Sequence, residues 1–543
     1  MGFETLMGDE AIALGAIHAG LGSAFAYPGT PSTEIMETLQ FLAEKQKAGK
    51  LDGVKEAFNA QWCANEKTAY ESAIGSSYAG KRAMVSMKHV GLNVAMDPFV
   101  NSSLLDLHAG LVVVIADDPG MHSSQDEQDS RWLADFARVP CFEPATQQEA
   151  YDMTREAFEV SERFNMPVML RITTRLAHSR ATVKLGGILP QGKVKKPSAG
   201  MDWVLMPGIA RKRWHAVLEK TKSIKAFSND SSFNPVTKGQ KKLGVITAGL
   251  ALAYYQENLE EVMAANGGQA PYHLHVGLYP IPEKSVLEVY EACDEVLVLE
   301  DGYPYIERLL RGIVKPSKRI LGKESGELPL EGELDPDNIR PALGLKARAV
   351  LPVPKTAMPG RPPQLCQGCP HVDTVNAIKE ALQGHSISAV FGDIGCSTLA
   401  ALPPYNLIEA TVEMGASVGM ARGASISGLK PSIAVIGDST FYHSGIGNIL
   451  DAVQHNSPFT VVIADNLTTA MTGAQPTIVP SSKMEAVVKG LGVDPAHIRV
   501  LKAHRSDHET NVRAIKEEIE HNGPSVIIMV RECIESYKKA RKP

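Results

Sequence analysis

The chain has 543 residues, 44% hydrophobic and 21% charged, with a formal net charge of −6. That balance fits several packed cores and excludes disorder as the dominant state, because apolar content is high and self-repulsion is small. The longest apolar runs, such as Leu111–Ala116, fall far short of the roughly 20 residues of a membrane span, and no secretory signal opens the chain.

Three blocks alternate short β-branched runs with helical patterns, which predicts an α/β protein built on three doubly wound, mainly parallel sheets. In the first block, 1–190, the strand candidates are Ala24–Pro28, Arg82–Lys88, Leu111–Ala116 and Pro167–Thr173. A connector, 191–242, follows. From 193 on it holds twelve Lys or Arg against three acidic residues, which predicts a solvated, partly mobile segment or, alternatively, a docking surface for an acidic partner. The middle block, 243–350, offers Leu243–Ala248, Tyr272–Val276 and Glu295–Leu299. Residues 351–363 contain five prolines and predict an extended linker. The third block, 364–543, has candidates at Ala389–Gly392, Ile433–Ile436, Phe459–Ala464, Ile498–Leu501 and Ser525–Val530. Runs apolar on both faces suit parallel strands covered by helices on each side.

In the third block, Ile433-Ala-Val-Ile-Gly-Asp438-Ser-Thr ends a strand on a glycine and a carboxylate, and 25 residues separate Ser439 from Asp465-Asn466 at the end of the next strand. Neighbouring parallel strands would present Asp438 and Asn466 at their carboxyl ends, where open α/β sheets bind ligands. A carboxylate, an amide oxygen and a backbone carbonyl, assigned to Thr468, are hard ligands suited to Mg²⁺ that also contacts phosphate. A helix expected to start near Ser444–Gly447 would offer amides to a diphosphate. The pattern resembles the thiamine diphosphate motif, Gly-Asp-Gly followed by Asn-Asn, with Ser439 and Asp465 as departures; Gly437 and Ser439 would flank the cofactor. The alternative is that Asp438 caps a helix and Asn466 sits in a turn.

Thiamine chemistry also needs an acid against the aminopyrimidine ring, and a carboxyl in a dry pocket keeps its neutral form available. Glu66, in the small-residue-rich run Trp62-Cys-Ala-Asn-Glu66-Lys-Thr-Ala-Tyr-Glu71, is the candidate, against a plain cap or solvent-facing role.

Seven cysteines, an odd number in so long a chain, fit a reducing cytoplasm better than a disulfide framework. Cys366-x-x-Cys369 alone is ambiguous among zinc, redox and cluster sites, although no second close pair completes a zinc ribbon. Cys396 follows a strand and Cys533 closes the last one, so four thiolates from separate loops are available for a 4Fe–4S cluster. Cys63, Cys141 and Cys293 read as buried or incidental.

Tyr27-Pro-Gly-Thr-Pro-Ser-Thr-Glu-Ile35, Asn65-Glu-Lys, Met87-Lys-His-Val-Gly-Leu-Asn93 and Asp117-Asp-Pro-Gly-Met-His-Ser-Ser-Gln125 resemble the alpha subunits of indolepyruvate:ferredoxin oxidoreductases. That family lies in the 2-oxoacid:ferredoxin oxidoreductase superfamily. Cys366-Gln-Gly-Cys-Pro-His371, Gly392-Asp-Ile-Gly-Cys396 and Thr468-Thr-Ala-Met-Thr-Gly473 agree with it. The resemblance implies a pyrimidine-binding domain, a transketolase C-terminal-like middle domain and a diphosphate-binding domain, with thiamine diphosphate between the first and third. It makes Glu66 the aminopyrimidine glutamate and places Thr30 and Arg131 where substrate carboxylate is handled, the alternative for Arg131 being a surface pair with Asp126 or Asp129. It makes Cys366, Cys369, Cys396 and Cys533 the ligands of one 4Fe–4S cluster, with Cys396 beside the cofactor. The roles of Lys88 and His89, at a strand end, stay open. Relatives carry a ferredoxin-like module after the last cysteine, whereas this sequence stops ten residues after Cys533. Electrons are therefore expected to leave through an external ferredoxin-like or other acceptor.

The expected activity is oxidative decarboxylation of a 2-oxoacid, an aryl pyruvate such as indolepyruvate, with coenzyme A as acyl acceptor, Mg²⁺ holding thiamine diphosphate, and the 4Fe–4S cluster taking electrons. The expected partner is a small beta subunit resembling the superfamily's gamma domain, in an α2β2 cytoplasmic assembly, with the middle block contacting coenzyme A. The rival readings are a cluster-free thiamine-dependent decarboxylase or ligase, and a non-catalytic scaffold subunit. Nucleic-acid binding finds no recognisable module in the basic stretch.

Overall fold

The computed structural model describes residues 2–195, 203–315, 317–349 and 363–540. The chain divides into two compact units, Met1–Pro352 and Val353–Pro543. Of the expected linker 351–363, only Pro363 lies among the described residues.

The first unit holds two large sheets. In the seven-stranded one the order is Leu278–Tyr279, Cys141–Phe142, Val168–Thr173, Leu111–Asp117, Arg82–Lys88, Leu21–Ala26 and Asn59–Trp62, parallel except for its first strand. Leu111–Asp117 is buried at every position, so hydrophobicity without alternation does mark a central strand covered on both faces. The middle block forms a five-stranded sheet ordered Arg319–Leu321, Glu295–Leu299, Gln240–Ala248, Pro271–Val276 and Val236–Thr237, parallel but for the last pair. Its following strand, Leu278–Tyr279, adds antiparallel to Cys141–Phe142 and so ties the middle block into the first sheet.

The basic stretch is more ordered than its charge suggested. Pro207–Asn229 is a 23-residue helix that buries Val217, Ile224 and Ser228. These positions are seven and four residues apart, about two turns and one, and give the helix one inward stripe. Burying Val217 and Ile224 contributes roughly 1.5–3 kcal/mol each. Lys220 and Arg213 both pair with Asp106. The charge count hid this stripe, because its few apolar residues are outnumbered on the solvent face.

The second unit is a five-stranded parallel sheet in the order Ala389–Gly392, Ser432–Gly437, Thr460–Asp465, Ser525–Val530 and Ile498–Lys502. Ser432–Gly437 and Thr460–Asp465 are neighbours, so Asp438 and Asn466 follow adjacent parallel strands at one sheet edge.

Candidate functional site

At that edge the chain turns into a helix at Asp438, six residues before the expected start, and runs through a π-helical turn at Phe441–Gly445 into Ile446–Gln454. Starting there puts Asp438 in the first turn, where its Oδ1 accepts the Ser439 amide at 2.8 Å. The capping role is therefore real for one oxygen. Oδ2 is buried without a hydrogen-bond partner of good geometry. Burial, then the Asp465 carboxylate beside it, pushes the Asp438 carboxyl up to about 8. Asp465 is itself buried, accepting the Leu467 amide at 3.2 Å and the Ser481 hydroxyl. Two enclosed carboxylates with no ion pair among the described residues leave negative charge that a bound cation would neutralise. A hard divalent ion fits this donor set.

The loop after Asp465 supplies the rest. Asn466 Oδ1 accepts the Thr468 amide at 3.2 Å, and the Thr468 hydroxyl donates to the Gln475 carbonyl at 3.0 Å. Gly437 ends its strand, and the Ser439 hydroxyl meets that of Thr469 at 3.0 Å.

The same edge gathers the cysteines. The Cys533 amide donates to the Asn466 carbonyl at 3.0 Å, placing the late cysteine against the candidate metal loop. Cys369 closes a turn by donating its amide to the Cys366 carbonyl at 3.0 Å. A Cβ at Gly368 in that turn would lie 3.1 Å from Ile534, which follows Cys533. Buried Asp393 accepts the amides of Gly415 and Ser417 at 2.9 and 3.0 Å and so anchors the turn to Cys396. The thiols sense one another. Burial first, then the Cys369, Cys533 and Cys366 thiols and Asp438, drives the Cys396 thiol up to about 12. Burial raises the Cys369 thiol as well, so thiolates at this edge call for compensating positive charge, as iron would supply.

Glu66, Thr30 and Arg131 lie in the first unit. Glu66 opens the helix Glu66–Tyr78, capped by Asn65, and is 6% exposed. A Cβ at Gly91 would come within 2.6 Å of Glu66 Oε1, so glycine there makes room for the carboxyl. Gly91 lies in the helix His89–Val94, directly after the strand Arg82–Lys88. Lys88 is also buried, and its Nζ donates to the Ser123 carbonyl and hydroxyl at 2.8 and 3.2 Å. Burial lowers its pKa against the opposing pull of Asp118 and Asp126. The Ser123 hydroxyl lies 3.2 Å from the Thr30 carbonyl, which links the Thr30 loop to Lys88. Glu66, Thr30 and Lys88 thus collect at the carboxyl edge of the first sheet. Sequence reading missed Gly91, because its role depends on a residue 25 positions away.

Arg131 departs from its expected roles. It is 1% exposed, hence no surface residue, and every N–H of its guanidinium is engaged inside the unit. Nε donates to Asp129 at 2.9 Å; Nη1 meets Glu300 at 2.9 Å and the Tyr279 hydroxyl at 3.2 Å; Nη2 meets Asp129 at 2.5 Å and the Asp301 carbonyl at 3.0 Å. The partner Asp129 was anticipated, its burial was not. No donor is left for a substrate carboxylate.

Comparison with known proteins points to the same cofactor. Residues 14–206 match the family described as pyruvate flavodoxin/ferredoxin oxidoreductase, thiamine diP-bdg, and residues 393–529 match the thiamine pyrophosphate enzyme, C-terminal TPP binding domain. The indolepyruvate oxidoreductase subunit IorA of Archaeoglobus fulgidus is 36% identical over 99% of this chain and 87% of its own. The subunit of the same name from Thermococcus kodakarensis is 36% identical over 97% and 85%. The fold also resembles 2-oxoglutarate:ferredoxin oxidoreductase from Magnetococcus marinus, solved with 2-oxoglutarate, coenzyme A and succinyl-CoA bound, at TM-score 0.51 and 17% identity over 63% of this chain and 65% of that one. No described helix is long and apolar enough to cross a membrane. The chain belongs to the indolepyruvate oxidoreductase IorA family of the 2-oxoacid:ferredoxin oxidoreductase superfamily, as the alpha subunit of a thiamine diphosphate-dependent 2-oxoacid oxidoreductase.

Proposed function

We propose that this subunit converts an aryl pyruvate such as indolepyruvate, with coenzyme A, into an acyl-CoA and carbon dioxide, releasing two electrons and a proton. The observation that carries the redox part is the convergence of Cys366, Cys369, Cys396 and Cys533 beside Asp438. Bound thiamine diphosphate supplies the nucleophilic carbon and the electron sink, and a 4Fe–4S cluster accepts electrons singly.

The chain's own residues divide the remaining work. Asp438, Asn466 and the Thr468 carbonyl would hold Mg²⁺ on the diphosphate, with Gly437 and Ser439 lining it. Cys366, Cys369, Cys396 and Cys533 would hold the cluster. Glu66 would exchange a proton with the aminopyrimidine ring. The Thr30 loop, fixed to Lys88 through Ser123, would meet the substrate carboxylate, and the charge of Lys88 suits that task better than the saturated Arg131. A small beta subunit in an α2β2 assembly and a separate acceptor, ferredoxin-like or otherwise, complete the system.

The test is anaerobic turnover with indolepyruvate, following coenzyme A-dependent reduction of a low-potential dye. Glu66→Gln should slow it about 10²–10⁴-fold while thiamine diphosphate still binds. Carbon dioxide release with an aldehyde product and no dye reduction would favour the cluster-free decarboxylase.

A further inference from the structure

Three helix ends meet in the first unit. Asp9 is in the first turn of Gly8–His18, Glu34 in the first turn of Thr33–Lys47, and His178 ends Thr174–His178. The crossing is close, since a Cβ at Gly8 would lie 2.2 Å from the Leu176 carbonyl oxygen. One ligand atom from each of Asp9, Glu34 and His178 lies within 4.8 Å of the others.

Asp9 is 0% exposed, and neither of its carboxyl oxygens has a hydrogen-bond partner. A buried carboxyl is normally satisfied, so this one calls for an explanation. Its helix position does not give one, because no amide of the first turn reaches it. The nearest acidic neighbour on its own helix, Glu10, is already engaged by the Met7 amide at 2.8 Å and by Arg180 at 3.1 Å, so Arg180 is no counter-ion for Asp9. Burial, then Glu34 and Glu10, raises the Asp9 pKa well above the ordinary range.

We propose that Asp9, Glu34 and His178 form a binding site for a first-row divalent cation, separate from the Mg²⁺ site suggested in the second unit. The imidazole makes the choice of metal class, since Mg²⁺ and Ca²⁺ favour all-oxygen shells whereas zinc and its neighbours accept nitrogen. His178 Nε2 and Glu34 Oε2 are 3.5 Å apart, close to the roughly 3.4 Å expected of two ligands at about 2.1 Å on a tetrahedral ion. Their side chains are 36% and 33% exposed, which gives the ion a route from solvent and leaves a position for water. A cation here would clamp the start of Thr33–Lys47, and with it the Thr30 loop three residues before that helix.

The test uses anaerobically purified holoenzyme, stripped of loose metal on a chelating resin and dialysed against buffered zinc. Zinc uptake and the zinc X-ray absorption edge are then measured for the natural chain, Asp9→Asn and His178→Gln. The expected result is zinc in a shell of nitrogen and oxygen alone, with uptake weakened at least about tenfold in each variant. Equal uptake by the natural chain and His178→Gln, no uptake by the natural chain, or sulfur in the shell would overturn the proposal. His178 is partly exposed, so His178→Gln decides the matter even where Asp9→Asn does not fold.

Discussion

Both units bury carboxylates, and they neutralise them in opposite ways. In the first unit Asp117, Asp129, Glu143, Glu300 and Asp301 surround Arg131, Arg171 and Lys323, and none of the eight is more than 3% exposed. Arg171 pairs with Asp117 at 2.6 Å and with Glu143, whose other oxygen accepts the Tyr279 hydroxyl at 2.5 Å. Asp129 is held down to about 2, because Arg131 and Arg171 outweigh the effect of burial. In the second unit Asp438 and Asp465 repel each other, and among the described residues no cation makes an ion pair with either. Charge balanced from within reads as architecture, and charge left unbalanced reads as a place for something to bind.

The largest expected effect comes from breaking the balanced region. Arg131→Met should cost about 3–5 kcal/mol of stability, since it strands buried carboxylates. Chemical denaturation would measure it. A folded, equally stable variant with a raised KM for the 2-oxoacid would instead restore Arg131 as a substrate-binding residue.

The unbalanced region should respond the other way. Asp438→Asn removes a buried carboxyl whose ionised form Asp465 repels, so the melting temperature should hold or rise while thiamine diphosphate affinity falls by about 100-fold. Calorimetric titration together with thermal melting would show both halves of that prediction.

Gly91→Ala separates geometry from stability at Glu66. The added methyl meets the flexible end of that side chain, so the cost in stability should be only about 1 kcal/mol. Displacing the carboxyl should cut kcat further, by up to about 10²-fold, because small misplacements of reacting groups are expensive in rate. Unchanged kcat would break the link between Glu66 and the reaction.

The smallest effect is in pH dependence. Burial lifts the Glu300 carboxyl to about 6 despite Arg131. Its unfolded value is about 4.3, so the folded state binds the extra proton, and the resulting stability is complete below about pH 4 and lost as pH rises to about 6. That contribution is about 2 kcal/mol. Glu300→Gln should remove this share of the decline between pH 4.5 and 7, as urea unfolding at the two pH values would show. An unaltered decline would mean that Glu300 does not titrate there.

Strands were the most legible part of the fold, because runs such as Leu111–Ala116 and Val526–Val530 are apolar throughout and short. The edge carrying Asp438, Asn466 and the cysteines was visible because local motifs carry it. Arg131 was not, since Glu143 and Glu300 are distant in sequence and nothing local announces that they converge. The helix Pro207–Asn229 was hidden for a different reason, as a count of charges ignores a sparse apolar stripe. Asp465, a departure from the expected Asn-Asn pair, turned out to be half of the repulsion that marks the site.

On the proposed function, the second unit joins a diphosphate cradle to a four-thiolate cluster site. Iron, sulfide and thiamine measured together on anaerobically purified protein, natural and Cys396→Ser, test it most directly. Four irons and four sulfides per thiamine are expected in the natural chain, with iron lost and thiamine retained in Cys396→Ser. Thiamine without iron in the natural chain, or iron undiminished in the variant, would contradict it.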